Sequence, residues 1–243
     1  MEAIDVAAEI ERIRQQQTAA RSTGQKRPES GYEFYTPKYA DPVVVERRDD
    51  LEQYGIKGRY KDVTFEALKA QGAPAEDREM YSNALKYGMH LPQHIRDGKG
   101  LIMTGPVGTG KTTLAVCILR WAINQGYRGY MISMTSLFDT LMMLSKGPSE
   151  HYLKFESRIQ NCPLLVLDDF GAEYDSEWVK NKVNSMLSER VERKRSTILT
   201  TNMSIKQIQS GYNERVYDRM KQTLFVLTFK GKSQRSTLDI KDI

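Results

Sequence analysis

The chain has little of what stabilises small secreted or metal-bound proteins. Its 243 residues include only 2 cysteines, Cys117 and Cys162, which lie far apart and show no CxxC spacing. That excludes a disulfide framework and a cysteine zinc site, and it fits a reducing cytoplasm. The 3 histidines, His90, His94 and His151, show no metal-ligand spacing. Apolar runs such as Pro163 to Leu167 span a handful of residues, far short of the ~20 a membrane span needs, so no membrane association is expected. The opening MEAIDVAAEIERIR mixes charges with apolar residues. It lacks the basic start and apolar block of a secretory leader. Charge of either sign is not dominant: Lys+Arg total 36 against Asp+Glu 31, a net of +5. With 40% hydrophobic and 28% charged residues, the composition is that of a folded, soluble protein rather than a disordered one. The first 60 residues hold 10 basic and 11 acidic side chains, so the basic surplus lies in the remainder, where it is compatible with nucleic-acid binding.

Residues 3–20 keep helical spacing through Ile4, Val6, Ala7, Ile10 and Ile13, which predicts a helix. From residue 21 to 59 the pattern dissolves around Pro28, Gly31, Pro37 and Pro42, as in a linker or arm. Within that arm Tyr32, Phe34, Tyr35 and Tyr39 would dock either on a partner or on the chain's own domain. A short helical extension over 1–59 and a compact domain over 60–243 are therefore expected. In the domain, strands are predicted at 100–104, 129–134, 164–168, 197–201 and 223–228. Helices are predicted at 84–95, 111–125, 136–145, 150–159 and 176–194. Alternating strands and helices imply an α/β fold, a mostly parallel five-stranded sheet with helices on both sides.

The strongest chemical signal is GPVGTGKT, from Gly105 to Thr112, which satisfies G-x-x-x-x-G-K-[ST] between a strand and a helix. The pattern arises by chance in roughly one chain of this length in a hundred. Gly105, Gly108 and Gly110 let backbone N–H groups turn towards phosphate oxygens, and Pro106, Val107, Thr109 and Thr113 complete the loop. The following helix adds its positive end. Lys111 reaches the β- and γ-phosphates of ATP, and Thr112 supplies a hydroxyl to Mg²⁺. The second signal is LLVLDDFG, from Leu164 to Gly171. An apolar strand ending in acids beside the phosphate loop places Asp168 on Mg²⁺ and Asp169 as general base. Glu173, close behind, is an alternative base. The third is STILTTNMS, from Ser196 to Ser204. Asn202 at the tip of that strand either orients the attacking water or caps the helix starting near Ile205.

These motifs in this order resemble the AAA+ ATPases. LLVLDDFGAE, Trp178, TILTTNMS and ERVYDRM, from Glu214 to Met220, narrow the resemblance over residues 60–236. They look like bacterial and phage replicative helicase loaders of the DnaC/DnaI type and the related IstB transposition helpers. The resemblance implies a RecA-like three-layer AAA+ domain without a helical lid, and Mg²⁺-dependent ATP hydrolysis stimulated by DNA or a partner. It implies ATP between subunits of a homo-oligomer, with Arg219 as a finger entering the neighbouring site and Arg215 its partner on the same helix face. It also implies contact with a hexameric helicase through the N-terminal segment, in the cytoplasm of a bacterial cell. Single-stranded DNA would run along residues 133–160, with Ser136, Phe138, Lys146 and Lys154 as candidates; the simpler reading buries Phe138 with Leu141 and Met142. The family often shows Ser-Tyr-Arg near the C-terminus; here Gln234 replaces the Tyr in Ser233-Gln234-Arg235, and Arg235 is a candidate contact for phosphate or a neighbouring subunit. The principal alternative is a transposition helper acting on target DNA and a transposase. A small-molecule kinase would share the phosphate loop but not the tandem acids, Asn202 and the Arg215/Arg219 pair. A third alternative is a switch that binds ATP and barely hydrolyses it.

Overall fold

The computed structural model describes residues 48–172, 177–211 and 214–235. The predicted helix at 3–20 and the aromatic arm at 32–39 lie outside them. Five strands form, each from an apolar segment: β1 (Gly100–Thr104), β2 (Gly129–Ser133), β3 (Leu164–Asp168), β4 (Ser196–Thr201) and β5 (Leu224–Thr228). They make one sheet in the order β2-β3-β4-β1-β5, with every neighbouring pair parallel. Parallel neighbours need crossovers, and the helices supply them. The helices are α1 (Phe65–Gln71), α2 (Arg78–Met89), α3 (Leu91–Asp97), α4 (Lys111–Asn124), α5 (Met134–Ser145), α6 (Ser149–Asn161), α7 (Glu177–Glu192), α8 (Ile205–Gly211) and α9 (Glu214–Thr223).

Strand residues alternate between two cores. Leu101, Met103, Leu164, Val166 and Ile198 pack with Leu114, Val116 and Ile118 of α4 and with Tyr87 and Leu91 of α2 and α3. Ile102, Leu165, Leu167 and Leu199 pack with Phe138 of α5, Ile159 of α6, Val183 and Leu187 of α7, and Ile208 and Met220 of α8 and α9. Two-sided burial explains why β3 reads as an unbroken apolar run. This is the expected three-layer α/β fold.

Three local readings change. The helix expected at 84–95 is two helices, because Pro92 sits in the first turn of α3. Proline lacks the N–H that a continuous helix would need there to reach the Gly88 carbonyl, and it is well placed at a helix start. The short helix α1 was not predicted. Its N-cap is Thr64, whose hydroxyl accepts from the Ala67 N–H at 3.1 Å, and it buries Phe65 edge-on to Trp121. Finally, Leu51 and Ile56 belong to the first core, so the packed unit takes in residues N-terminal to position 60. By its internal contacts the chain splits into two units, 1–41 and 42–243.

One buried side chain ties the second core to the sheet. Arg190 of α7 is 0% exposed. Its Nη1 donates to the carbonyls of Ile159 at 2.6 Å and Cys162 at 3.1 Å. Its Nη2 donates to the Ser196 carbonyl at 2.6 Å, and its Nε to Thr197 Oγ1 at 2.9 Å. The guanidinium thus satisfies orphan carbonyls at the C-terminus of α6 and anchors them to the start of β4. Arg190→Met keeps the volume but leaves those buried oxygens unpaired. It is expected to lower unfolding stability by about 3 kcal/mol, read as a fall in the urea midpoint at unchanged slope.

Candidate ATP-binding site

In parallel sheets, ligands sit beyond the carboxyl ends of the strands, where the strand order reverses. Here β4 lies between β1 and β3, so the ends of all three strands converge. The phosphate loop leaves β1, the tandem acids end β3, and Asn202 follows β4. Side chains lock the three ends together. Thr104 Oγ1 donates to the Met203 carbonyl, Thr201 Oγ1 to the Phe170 carbonyl, and the Phe170 N–H to the Thr200 carbonyl at 2.7 Å.

Residues 105–110 wrap from β1 into α4. Gly108 and Gly110 have φ of +82° and +88°, a region open to glycine and strained for other residues. Close packing adds a second requirement, since a Cβ at Gly110 would lie 2.1 Å from the Tyr81 hydroxyl. Lys111 is the first residue of α4 and is 6% exposed. Its ammonium donates to the carbonyls of Gly105 at 2.7 Å and Pro106 at 2.6 Å. Burial lowers its pKa, while the carboxylates of Asp169, Asp168 and Asp77 act in the opposite sense.

Asp168 is 6% exposed. Its Oδ1 accepts from Thr112 Oγ1 at 2.8 Å and from Thr200 Oγ1 at 2.6 Å. The Thr112 and Asp168 oxygens fit Mg²⁺, a hard cation that takes oxygen ligands. Their 2.8 Å separation matches the edge of about 2.9 Å expected of an octahedron with bonds of about 2.1 Å. Asp169 adopts φ +54°, with its N–H donating to Thr200 Oγ1 at 3.1 Å. That turn aims successive acids differently: Asp168 stays beneath the loop, while Asp169 lines the cleft. Burial raises the pKa of Asp169, and the Asp168 charge raises it further; Lys111, Arg235 and Arg59 oppose the shift.

The cleft has a volume of about 380 Å³. Val107 to Thr113, Asp169, Asn202 and Arg235 line it as the sequence suggested, and Asn202 is free of the capping role. The cap of α8 is Ser204: its Oγ accepts from the Gln207 N–H at 3.3 Å, while Gln207 Oε1 accepts from the Ser204 N–H at 2.8 Å. That is a reciprocal capping box. Arg219 is not among the residues lining this cleft. It is 44% exposed and pairs with Glu192 at 3.0 Å. Glu173 and the Arg215 side chain lie outside the described residues. Sequence reasoning missed Arg59, Tyr60, Val63, Leu68, Gln71 and Tyr81, which line the rest of the cleft. The signal available was Thr64 before the apolar spacing Phe65–Leu68, a helix start beside the phosphate loop.

The DNA candidates divide. Phe138 is 0% exposed, so it cannot stack a base; it belongs to the core, edge-on to Trp178. Ser136 shares a hydrogen bond with Ser133. Lys146 and Lys154 are on the surface, Lys154 paired with Glu150 at 2.6 Å.

Fold and site together define an ATP-binding protein of the AAA+ type. More narrowly, the family model of IstB-like ATP binding proteins matches residues 87–240, and the chain belongs to that family. It is 27% identical over 194 residues to the replicative helicase loader DnaC of Escherichia coli K12, covering 77% of this chain and 75% of that protein. An insertion sequence IS21-like putative ATP-binding protein of Bacteroides fragilis is 30% identical over 123 residues, 47% of this chain and 46% of the relative. The crystal structure of the DnaC helicase loader superposes with a TM-score of 0.61 at 26% identity, over 72% of this chain and 100% of that one. That of DnaI gives 0.58 at 20% identity over 72% and 94%, a likeness of fold. Among the described residues no helix is long and apolar enough to cross a membrane.

Two substitutions separate the acids. Asp169→Asn is expected to retain ATP binding and lose hydrolysis at least a hundredfold, on the order of a lost general base. Asp168→Asn is expected to weaken the Mg²⁺ dependence of nucleotide binding. Normal hydrolysis by Asp169→Asn would place the base elsewhere, with Glu173 next to examine.

Proposed function

We propose that this protein is an ATP-dependent loader of a replicative DNA helicase onto single-stranded DNA. The observation that carries this reading is the likeness to DnaC across most of both chains, in sequence and in fold. The IS21-like match spans under half of each chain. It keeps a transposition helper as the second reading.

Lys111 and the loop N–H groups would bind the triphosphate, with Mg²⁺ held by Thr112 and Asp168. Bound there, the metal would neutralise charge developing on the phosphate oxygens. Asp169 would take the proton of the attacking water while Asn202 orients it. Arg219, outside its own cleft and exposed, is assigned to a neighbour's site in an ATP-dependent homo-oligomer. There a guanidinium would stabilise charge on the transferring phosphoryl group. The N-terminal segment is assigned to the hexameric helicase.

Two experiments test these assignments. Deleting residues 1–41, at the division between the two units, is expected to leave ATP binding intact and abolish co-purification with the helicase. Retained helicase binding would move the contact to the core, and capture of a transposase instead of a helicase would favour the second reading. For Arg219, Arg219→Ala subunits are expected to bind ATP but lose ~10³-fold in hydrolysis. Lys111→Ala subunits keep the finger and lose their own site. Mixed in the presence of single-stranded DNA, the two inactive proteins are expected to regain hydrolysis. Mixed oligomers, verified by light scattering, that stay inactive would remove Arg219 from the role.

A further inference from the structure

After β5 the chain turns back over the phosphate loop. The Phe229 N–H donates to the Thr104 carbonyl at 2.8 Å, continuing the β1 pairing. The next two N–H groups go to one side chain. Lys230 donates to Asp77 Oδ1 at 2.7 Å, and Gly231 to both carboxylate oxygens at 3.1 Å. Three residues later the Gln234 N–H donates to the Gly108 carbonyl at 2.9 Å. Its side-chain amide donates to the Tyr81 hydroxyl at 3.0 Å, and that hydroxyl donates to the Thr109 carbonyl at 3.2 Å. There is no slack between the layers: a Cβ at Gly108 would lie 2.1 Å from Ser233 Oγ. Residues 229–235 thus form a strap against the loop, and Arg235 at its end lines the cleft.

Asp77 occupies an unusual place for this task. It is the N-cap residue of α2, yet its side chain makes no cap hydrogen bond. An aspartate at that position normally accepts from its own helix. Here the carboxylate, 1% exposed, is committed to the strap. Burying it carries a desolvation cost that an ordinary cap at the surface avoids. It also lies near enough to Lys111 to favour the charged ammonium.

We propose that Asp77 is a positioning residue for nucleotide binding, which fixes the backbone at Lys230 and Gly231 and thereby holds Arg235 over the cleft. The inference rests on the reading of this cleft as the ATP site. Gly231 gives a way to break the clasp while leaving Asp77 and the cleft residues in place, because a Cβ there would lie 2.4 Å from Asp77 Oδ2.

The test is a set of double-mutant cycles on the full chain, with a fluorescent ATP analogue for affinity and single-stranded DNA-stimulated hydrolysis for KM and kcat. Arg235→Ala is expected to weaken nucleotide binding about tenfold, the scale of one lost charge-assisted contact. Asp77→Ala and Gly231→Ala are each expected to raise Kd and KM by nearly as much, with kcat within about twofold, because the reacting groups are untouched. Combined with Arg235→Ala, neither is expected to add further weakening, since all three remove one interaction. Asp77→Asn, which keeps one acceptor oxygen, should fall between. If Asp77→Ala fails to fold, Gly231→Ala and Tyr81→Phe carry the same expectation, the latter with about a threefold effect from loss of the hydroxyl's two neutral hydrogen bonds, to Gln234 and Thr109. Additive effects, normal affinity in the clasp variants, or a fall in kcat at constant KM would overturn the proposal. Normal affinity in Arg235→Ala would overturn it as well. Lys111→Ala separates the two levels. If it still binds ATP tightly, the ATP reading of the cleft fails; if it does not while the clasp variants bind normally, only the strap assignment fails.

Discussion

Three distant stretches of chain meet on a single carboxylate oxygen. Asp168 Oδ1, at the end of β3, accepts from Thr112 in the first turn of α4 and from Thr200 near the end of β4. The start of α4 is thereby held to the acid strand through a carboxylate, a group that suits a divalent cation. This geometry depends on the strand order. With β4 inserted between β1 and β3, Thr200 reaches Asp168 from one side while the loop from β1 arches over to the other. β4 thus keeps β1 and β3 two strand spacings of about 4.8 Å apart, and Thr200 near its end bridges that gap.

The sequence made this part legible because each motif is contiguous. A phosphate loop is read from one octet of residues, and the tandem acids from another, so spacing and flanking strands were enough. The two-faced sheet was equally readable, since β3 carries no polar residue before Asp168. What escaped was everything assembled from residues that are ordinary where they stand. Asp77 looks like a surface acid opening a helix, and Gly231 like one more glycine in a polar tail. Their pairing spans 154 positions, and nothing local announces it. Arg59 was assigned to a linker because prolines and charges precede it, yet Leu51 and Ile56 just upstream are buried in the core.

Phe138 and Asn202 show how structure decides between two readings of one residue. Both stood between a local structural role and a functional one. For Phe138 the helical spacing with Leu137 and Leu141 places the ring inward, and the core claims it. For Asn202 the decision came from its neighbours. Ser204 and Gln207 cap α8 between them, which leaves the amide at the strand tip facing the cleft. The physical distinction is whether the backbone N–H groups at that helix start have another partner, and two residues further along the chain they do.

The charges around the cleft bear on the neighbouring subunit proposed for the site. Among the described residues Lys111, Arg59 and Arg235 face Asp168 and Asp169, with Asp77 also close to Lys111, three cations against three carboxylates. A triphosphate carries several negative charges, and even with a divalent cation bound the site as built falls short of balance. The missing charge is required most when the γ-phosphoryl group transfers, because charge then spreads over its equatorial oxygens. Arg219 is suited to meet that need from outside. Its pairing with Glu192 is between side chains 44% and 61% exposed, and such surface pairs contribute ~1 kcal/mol or less. Exchanging Glu192 for a phosphate at a subunit boundary therefore costs little. The buried Arg190, held in its carbonyl cage, could make no such exchange without opening the core.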